Sequence, residues 1–262
     1  MSSISVWKNP PEHVELSSNE VHVWRASLDL PLPSTQSLLA ILSDGERARA
    51  GRFRSPRNGQ RSVASRGLLR LLLAHYLAAD PSQIRLRYNR EGKPALADEA
   101  VACGLRFNVS HSQGLALFAF ARGRELGVDL ERMDPAVSSE RIPEHFFSPR
   151  ECAALRALPV EQQSEAFFAC WTRKEAYIKA KGKGLAIRLD HFDVSLGPGE
   201  PAALLETAEG SQETLRWSLH DLSPAPGYAG ALAIEGQGAK LHGWPLNCEA
   251  LLLSERHSAV VN

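Results

Sequence analysis

The chain has 262 residues, 30 Lys+Arg against 30 Asp+Glu, 44% apolar and 23% charged. At roughly 100–200 residues per domain that length gives one or two domains. Low hydrophobicity with high net charge marks disorder, so global disorder is excluded. The four scattered cysteines, Cys103, Cys152, Cys170 and Cys248, form no C-x-x-C pair. They exclude a disulfide scaffold and a Cys-based zinc site, and they suit a cytoplasmic protein.

In chain order, Val21–Leu30 alternates in part and predicts a strand, ended by Pro31 and Pro33. Gln36–Phe53 reads as helical, and Asn58–Ala79 as a second helix with a leucine stripe. That leucine stretch is interrupted by Arg70 and His75, so it is too short and too charged to span a membrane. The N-terminus carries no apolar run of the signal-peptide kind. Ile84–Tyr88 is a short strand before the turn Asn89–Gly92. Leu105–Ser110, Leu115–Ala121 and Glu125–Leu130 are further strands. Ser148-Pro149-Arg150-Glu151 opens a helix, because serine caps, proline fits the first turn and Glu151 stands three residues on. A long helix runs from Glu161 to Lys181. Phe192–Leu196, Thr214–His220 and Tyr228–Ile234 read as closing strands. Helices followed by strands thus occur twice, and the sequence from Gly236 onward is uninformative.

Whole-chain neutrality hides a gradient. Between Gly45 and Lys93 stand twelve Lys/Arg and three acids; from Asp190 onward stand ten acids and three bases. Such asymmetry suits an N-terminal half that handles an anion. Arginines that merely decorate solvated helix faces would look the same.

Four segments carry chemistry. In Gly127-Val128-Asp129-Leu130-Glu131, strand alternation puts both acids on one face and Val128 and Leu130 on the other. Two carboxylates side by side call for a cation, and a hard ion such as Mg²⁺ prefers oxygen ligands; the alternative is an edge strand showing acids to solvent. In Phe167–Leu185, Trp171, Glu175 and Lys179 fall on one helical stripe beside Lys174. The alternative there is surface pairing of Glu175 with Lys179. Gly182-Lys183-Gly184 adds a flexible basic turn without a Walker pattern. In Phe107–Ser112, Ser110 and His111 can donate to phosphate oxygens; a turn with a half-buried histidine, or a serine or histidine catalytic site, competes, although no G-x-S-x-G elbow occurs. In Glu91-Gly92-Lys93-Pro94 a lysine sits in a Gly/Pro turn, as a phosphate contact or simply as a turn.

Taken in this order, GKP, FNVSHS, GVDLE and FxxCWTRKEAYIKAKGKGL resemble the 4′-phosphopantetheinyl transferases of the surfactin-synthetase-activating type. The resemblance spans about 45–195 and is strongest from Gly92 to Asp193. It implies a pseudo-duplicated α+β fold, each half helices packed on a small antiparallel sheet. The halves would be 1–123 for the nucleotide and phosphates and 124–235 for the metal and catalytic helix, with 236–262 a tail. It implies transfer of the phosphopantetheine arm of coenzyme A to a serine of an acyl or peptidyl carrier protein, with release of 3′,5′-ADP.

By the same resemblance Asp129, Glu131 and Glu175 would hold Mg²⁺ or Mn²⁺. Lys174 and Lys179 would contact the pyrophosphate, Lys179 also aiding proton transfer. Lys93, Ser110 and His111 would contact phosphates. Arg47, Arg49, Arg61 and Ser62 would bind the adenosine end. Glu175, directly or through a metal-bound water, would be the base. Basic residues between Arg47 and Arg70, or at Lys181–Leu185, would dock the acidic carrier. A cytoplasmic monomer without membrane or nucleic-acid partners is expected. The rivals are a nucleic-acid-binding module built on the arginine-rich segment and another Mg²⁺-dependent nucleotide phosphotransferase or phosphatase.

Overall fold

The computed structural model describes residues 4, 6–11, 13–90, 92–97, 103–134, 142–182, 184 and 187–253. Glu91, Lys183 and Leu185, named above, lie outside them.

The first half runs β1 (Glu20–Ser27), α1 (Leu32–Ala40), α2 (Asp44–Gly51), α3 (Pro56–Leu77), β2 (Leu86–Tyr88), β3 (Pro94–Leu96), β4 (Leu105–Ser112) and β5 (Leu115–Arg122). The helix expected over 36–53 is therefore two helices. Ser43 divides them: its hydroxyl accepts from the Glu46 N–H, and the Glu46 carboxylate accepts from the Ser43 N–H. That reciprocal capping box starts a new helix.

The second half runs β6 (Leu126–Arg132), α4 (Ile142–Phe146), α5 (Pro149–Ala157), α6 (Val160–Lys181), β7 (Phe192–Val194), β8 (Leu204–Thr207), α7 (Ser211–Arg216), β9 (Trp217–Leu222) and β10 (Tyr228–Glu235). Ser148 caps α5 in the same reciprocal way with Glu151. Gly182, at φ +66°, ends α6 in the left-handed conformation that glycine adopts without steric cost. The strand expected over 214–220 begins as α7 and becomes β9 only at Trp217.

The last strand, β11 (Lys240–Pro245), comes from the stretch with no sequence signal. It pairs in parallel with β1, His22 opposite His242, and completes a four-stranded sheet in the order β11-β1-β5-β4. The second sheet is β6-β10-β9 and antiparallel. This mixed α+β architecture has a helix on each sheet. The α3 leucines pack with Phe107, Phe118 and Phe120. Phe167, Phe168 and Tyr177 of α6 pack with Phe192 and Trp217. Between the sheets lies a third cluster, with Val21, Val23, Leu117, Val128, Leu130 and Leu232. Burial of each such large apolar side chain contributes about 1.5–3 kcal/mol. No described helix is long and apolar enough to cross a membrane.

One glycine sets the distance between β6 and α6. A Cβ on Gly127 would stand 2.2 Å from the Ala176 carbonyl oxygen and 2.3 Å from the Ala180 nitrogen. Only glycine lets the helix backbone lie this close to the strand. The carboxylates of β6 and the polar stripe of α6 therefore face one another.

Candidate active site

The C-terminal half of α6 is buried almost all round. From Trp171 to Ala180 only Trp171, Glu175 and Lys179 are partly open. They are four residues apart, so they share one face, and that face looks into a cavity of about 370 Å³. Opposite, β4 contributes Val109, Ser110 and His111, and β6 contributes Asp129 and Glu131. The structure thus brings six of the expected residues together: Ser110, His111, Asp129, Glu131, Glu175 and Lys179.

Asp129 does not show its acid to solvent, although β6 is an edge strand; it is 2% exposed. Its Oδ1 accepts from Lys179 Nζ at 2.5 Å and from Ser110 Oγ at 3.0 Å. Lys179 also donates to Ser110 Oγ at 3.1 Å. Glu131 accepts from Ser112 Oγ at 2.9 Å. The Glu131 carboxyl is pushed above its ordinary pKa, by desolvation first and then by the charge of Asp129. Glu175 is also raised, again by desolvation first and then by Asp129, while Lys179 pulls it down. The His111 side chain is surface-accessible, yet desolvation, followed by the charges of Lys179 and Arg66, holds it below the usual histidine value. Three carboxylates share a partly dry pocket with one ammonium, which leaves them short of cations.

That shortage is the test of fit for a metal ion. Asp129 Oδ2 is buried and has no hydrogen-bond partner among the described residues. A buried carboxylate oxygen without a partner costs free energy. Mg²⁺ takes one or two carboxylates with the rest of its shell from phosphate and water, so this oxygen-only donor set fits. No three His, Cys, Asp or Glu side chains among the described residues are already drawn into a closed shell. Lys179 lies against Asp129 instead.

Residues 125–233 match the 4′-phosphopantetheinyl transferase superfamily, and residues 30–122 match the 4′-phosphopantetheinyl transferase N-terminal family. The 4′-phosphopantetheinyl transferase HetI of Nostoc sp. is 43% identical over 238 residues, 91% of this chain and 97% of its own length. The 4′-phosphopantetheinyl transferase Sfp of Bacillus subtilis is 32% identical over 171 residues, 64% of this chain and 74% of its own. The chain belongs to the 4′-phosphopantetheinyl transferases.

Lys174 of this transferase does not face the cavity in which a phosphate contact was expected. One residue before Glu175, it points about 100° away around the helix. It is fully buried, pairs with Glu151 at 2.7 Å, and donates to the carbonyls of Leu189 and Phe192. Every ammonium proton therefore has a protein acceptor, and the residue lies outside the cavity. Lys93 lines two neighbouring cavities, and its ammonium donates to the carbonyls of Leu126 and Lys179. Here it clamps the end of α6, and burial lowers its pKa.

The expected adenosine contacts do not line the carboxylate cavity either. Arg47 donates to the Leu42 carbonyl. Arg49 lies over the Tyr88 ring, with Arg66 over the same ring. Arg61 makes a bidentate pair with Asp29 at 2.7 Å, and Ser62 is half-buried on α3. The sequence reading also passed over several residues. Arg66, counted there only as charge, acts on His111. Glu151 was read only as a cap. Ser112 was given no partner, although its two-residue spacing from Ser110 was a usable signal.

Proposed function

We propose that the cavity binds the pyrophosphate of coenzyme A and moves the 4′-phosphopantetheine arm to a serine of an acyl or peptidyl carrier protein. The observation that carries this is the convergence of Asp129, Glu131, Glu175, Lys179, Ser110 and His111 on one pocket.

Asp129, Glu131 and Glu175 would hold Mg²⁺ or Mn²⁺. When bound, that ion supplies positive charge against the pyrophosphate. The chain's own groups do the rest. Lys179 and His111 offer donors to phosphate oxygens, and Ser110 fixes Lys179 against Asp129. Phosphoryl transfer rests mainly on such positioning and charge neutralisation. The serine oxygen of the carrier forms a bond to the phosphorus that bears pantetheine. The bond from that phosphorus to the bridging oxygen breaks, and 3′,5′-ADP leaves with the electron pair. Glu175, whose proton affinity is raised, takes the serine proton. Residues 1–123 would hold the nucleotide end and 124–235 the metal and catalytic helix, with β11 rejoining the first sheet. Lys181 is tied to Glu209 and Glu213, which favours the basic residues between Arg47 and Arg70 for carrier docking. The enzyme would act as a cytoplasmic monomer, which size-exclusion chromatography checks.

Incubation with coenzyme A, Mg²⁺ and an apo carrier tests the reaction. A covalent phosphopantetheine mass on the carrier and release of 3′,5′-ADP are expected. Failure to modify fatty-acid, polyketide and peptide carriers alike would overturn it.

A further inference from the structure

Strands β4 and β6 are the facing edges of two different sheets. Among the described residues no backbone ladder joins them; side chains do. Asn108, Ser110 and Ser112 alternate along β4 and so share a face. Asn108 Oδ1 accepts from the Val128 N–H at 2.8 Å. Ser110 donates to Asp129, and Ser112 donates to Glu131. One row of polar side chains from the first half thus holds both strand carboxylates of the second.

We propose that Ser112 is a positioning residue for Glu131 and sets the affinity of the site for its divalent cation. This rests on the metal reading above. Ser112 does not line the cavity, so it touches neither cation nor coenzyme. Its hydroxyl has one proton, which goes to Glu131 Oε2 at 2.9 Å. It also accepts from the Arg132 N–H at 3.1 Å. Filled on both sides, the hydroxyl is fixed in direction, and it is the only hydrogen-bond partner of the Glu131 carboxylate among the described residues. Ser110 is already shared between Asp129 and Lys179 and does not replace it. A glutamate has three rotatable side-chain torsions. Without Ser112 it would have to be ordered by the ion itself, at a cost in affinity.

The test is titration with Mn²⁺, followed by the EPR signal of the free ion, with coenzyme A present and carrier absent. Ser112→Ala is expected to weaken Mn²⁺ binding about tenfold, the low end for loss of a group that orients a metal ligand. Ser112→Thr keeps the hydroxyl and should bind like wild type. The metal-free melting temperatures of all three proteins should agree, which a purely structural role for Ser112 would not produce. Unchanged Mn²⁺ affinity in Ser112→Ala, with Glu131→Gln weakened, would overturn the proposal and leave the metal site standing. Equal weakening in the Ala and Thr variants would also overturn it. Wild-type protein that bound no Mn²⁺ would remove the metal site and the proposal together.

Discussion

The two faces of α6 use the same residue types for opposite ends. Lys179 stands on the cavity face, 30% exposed, against Asp129. Lys174 stands five residues earlier on the packing face, fully buried, against Glu151, itself 2% exposed. Each is a lysine beside a carboxylate. On the packing face the charged groups are matched: Glu151 also accepts from the N–H groups of Ser148 and Val194, and Arg173 forks onto Asp221 while donating to the Ser195 carbonyl. On the cavity face the acids outnumber the cations, and one carboxylate oxygen has no partner among the described residues. Satisfied charge builds the fold, and unsatisfied charge marks where a ligand belongs.

The largest effect comes from breaking the matched face. Lys174→Met leaves the Glu151 carboxylate buried and unpaired, and loss of one partner of a buried pair costs about 3–5 kcal/mol. Denaturant unfolding should show that loss. A variant with wild-type stability but weaker coenzyme A binding would return Lys174 to the phosphates and erase the contrast.

The opposite face predicts the opposite pattern. Lys179→Met should lower kcat about a hundred- to a thousand-fold, as loss of one charge-stabilising donor does, with a smaller change in unfolding midpoint than Lys174→Met, because Lys179 is 30% exposed and water from the cavity can take its place against Asp129. Steady-state transfer assays beside thermal melts read both. Gly127→Ala should disturb both faces at once, because the methyl meets helix backbone. Overpacking of that kind costs about 1–3 kcal/mol. Stability and transfer should then fall together, and an active variant of unchanged stability would mean that α6 does not need its close seat on β6.

The contrast also marks what could be read from sequence. The stripe Trp171–Glu175–Lys179 follows from helical period alone, and it is the open face of α6. Asp129 and Glu131 follow from strand alternation. Both are local rules. Lys174 adjoins the same motif, and sequence alone does not tell which side of the helix meets the core. The partner that decides it, Glu151, lies 23 positions earlier. The arginines of 45–93 were legible only as a sum. Their actual partners, Asp29 for Arg57 and Arg61 and Glu46 for Arg66 and Arg70, come from turns and other helices. Strand β11 was hidden because a short edge strand needs β1 to define it. Charge count pointed to an anionic ligand; spacing on one element gave the candidate site; contacts between elements stayed out of reach.

The smallest effect sharpens the contrast without a substrate. Desolvation, with the charge of Asp129, raises the pKa of Glu131 above 4.5 in the fold. A carboxyl with a raised folded pKa favours the protonated state, so its charged form opposes folding. That cost is absent below the unfolded value, grows as pH rises from the unfolded to the folded value, and is constant above it. Glu131→Gln removes the charge but keeps an oxygen to accept from Ser112. In EDTA at pH 7 this variant should therefore be more stable than wild type. The advantage should shrink as the pH falls toward 4.5, where wild-type Glu131 is protonated too. Added Mg²⁺ should stabilise wild type more than the variant, because a ligand that binds only the folded state adds to its stability. Urea unfolding midpoints at several pH values, with and without the ion, measure all three trends. A Glu131→Gln protein less stable than wild type at pH 7 in EDTA would show that the cavity carboxylates are as well matched as those around Lys174, and the two faces of α6 would no longer differ in kind.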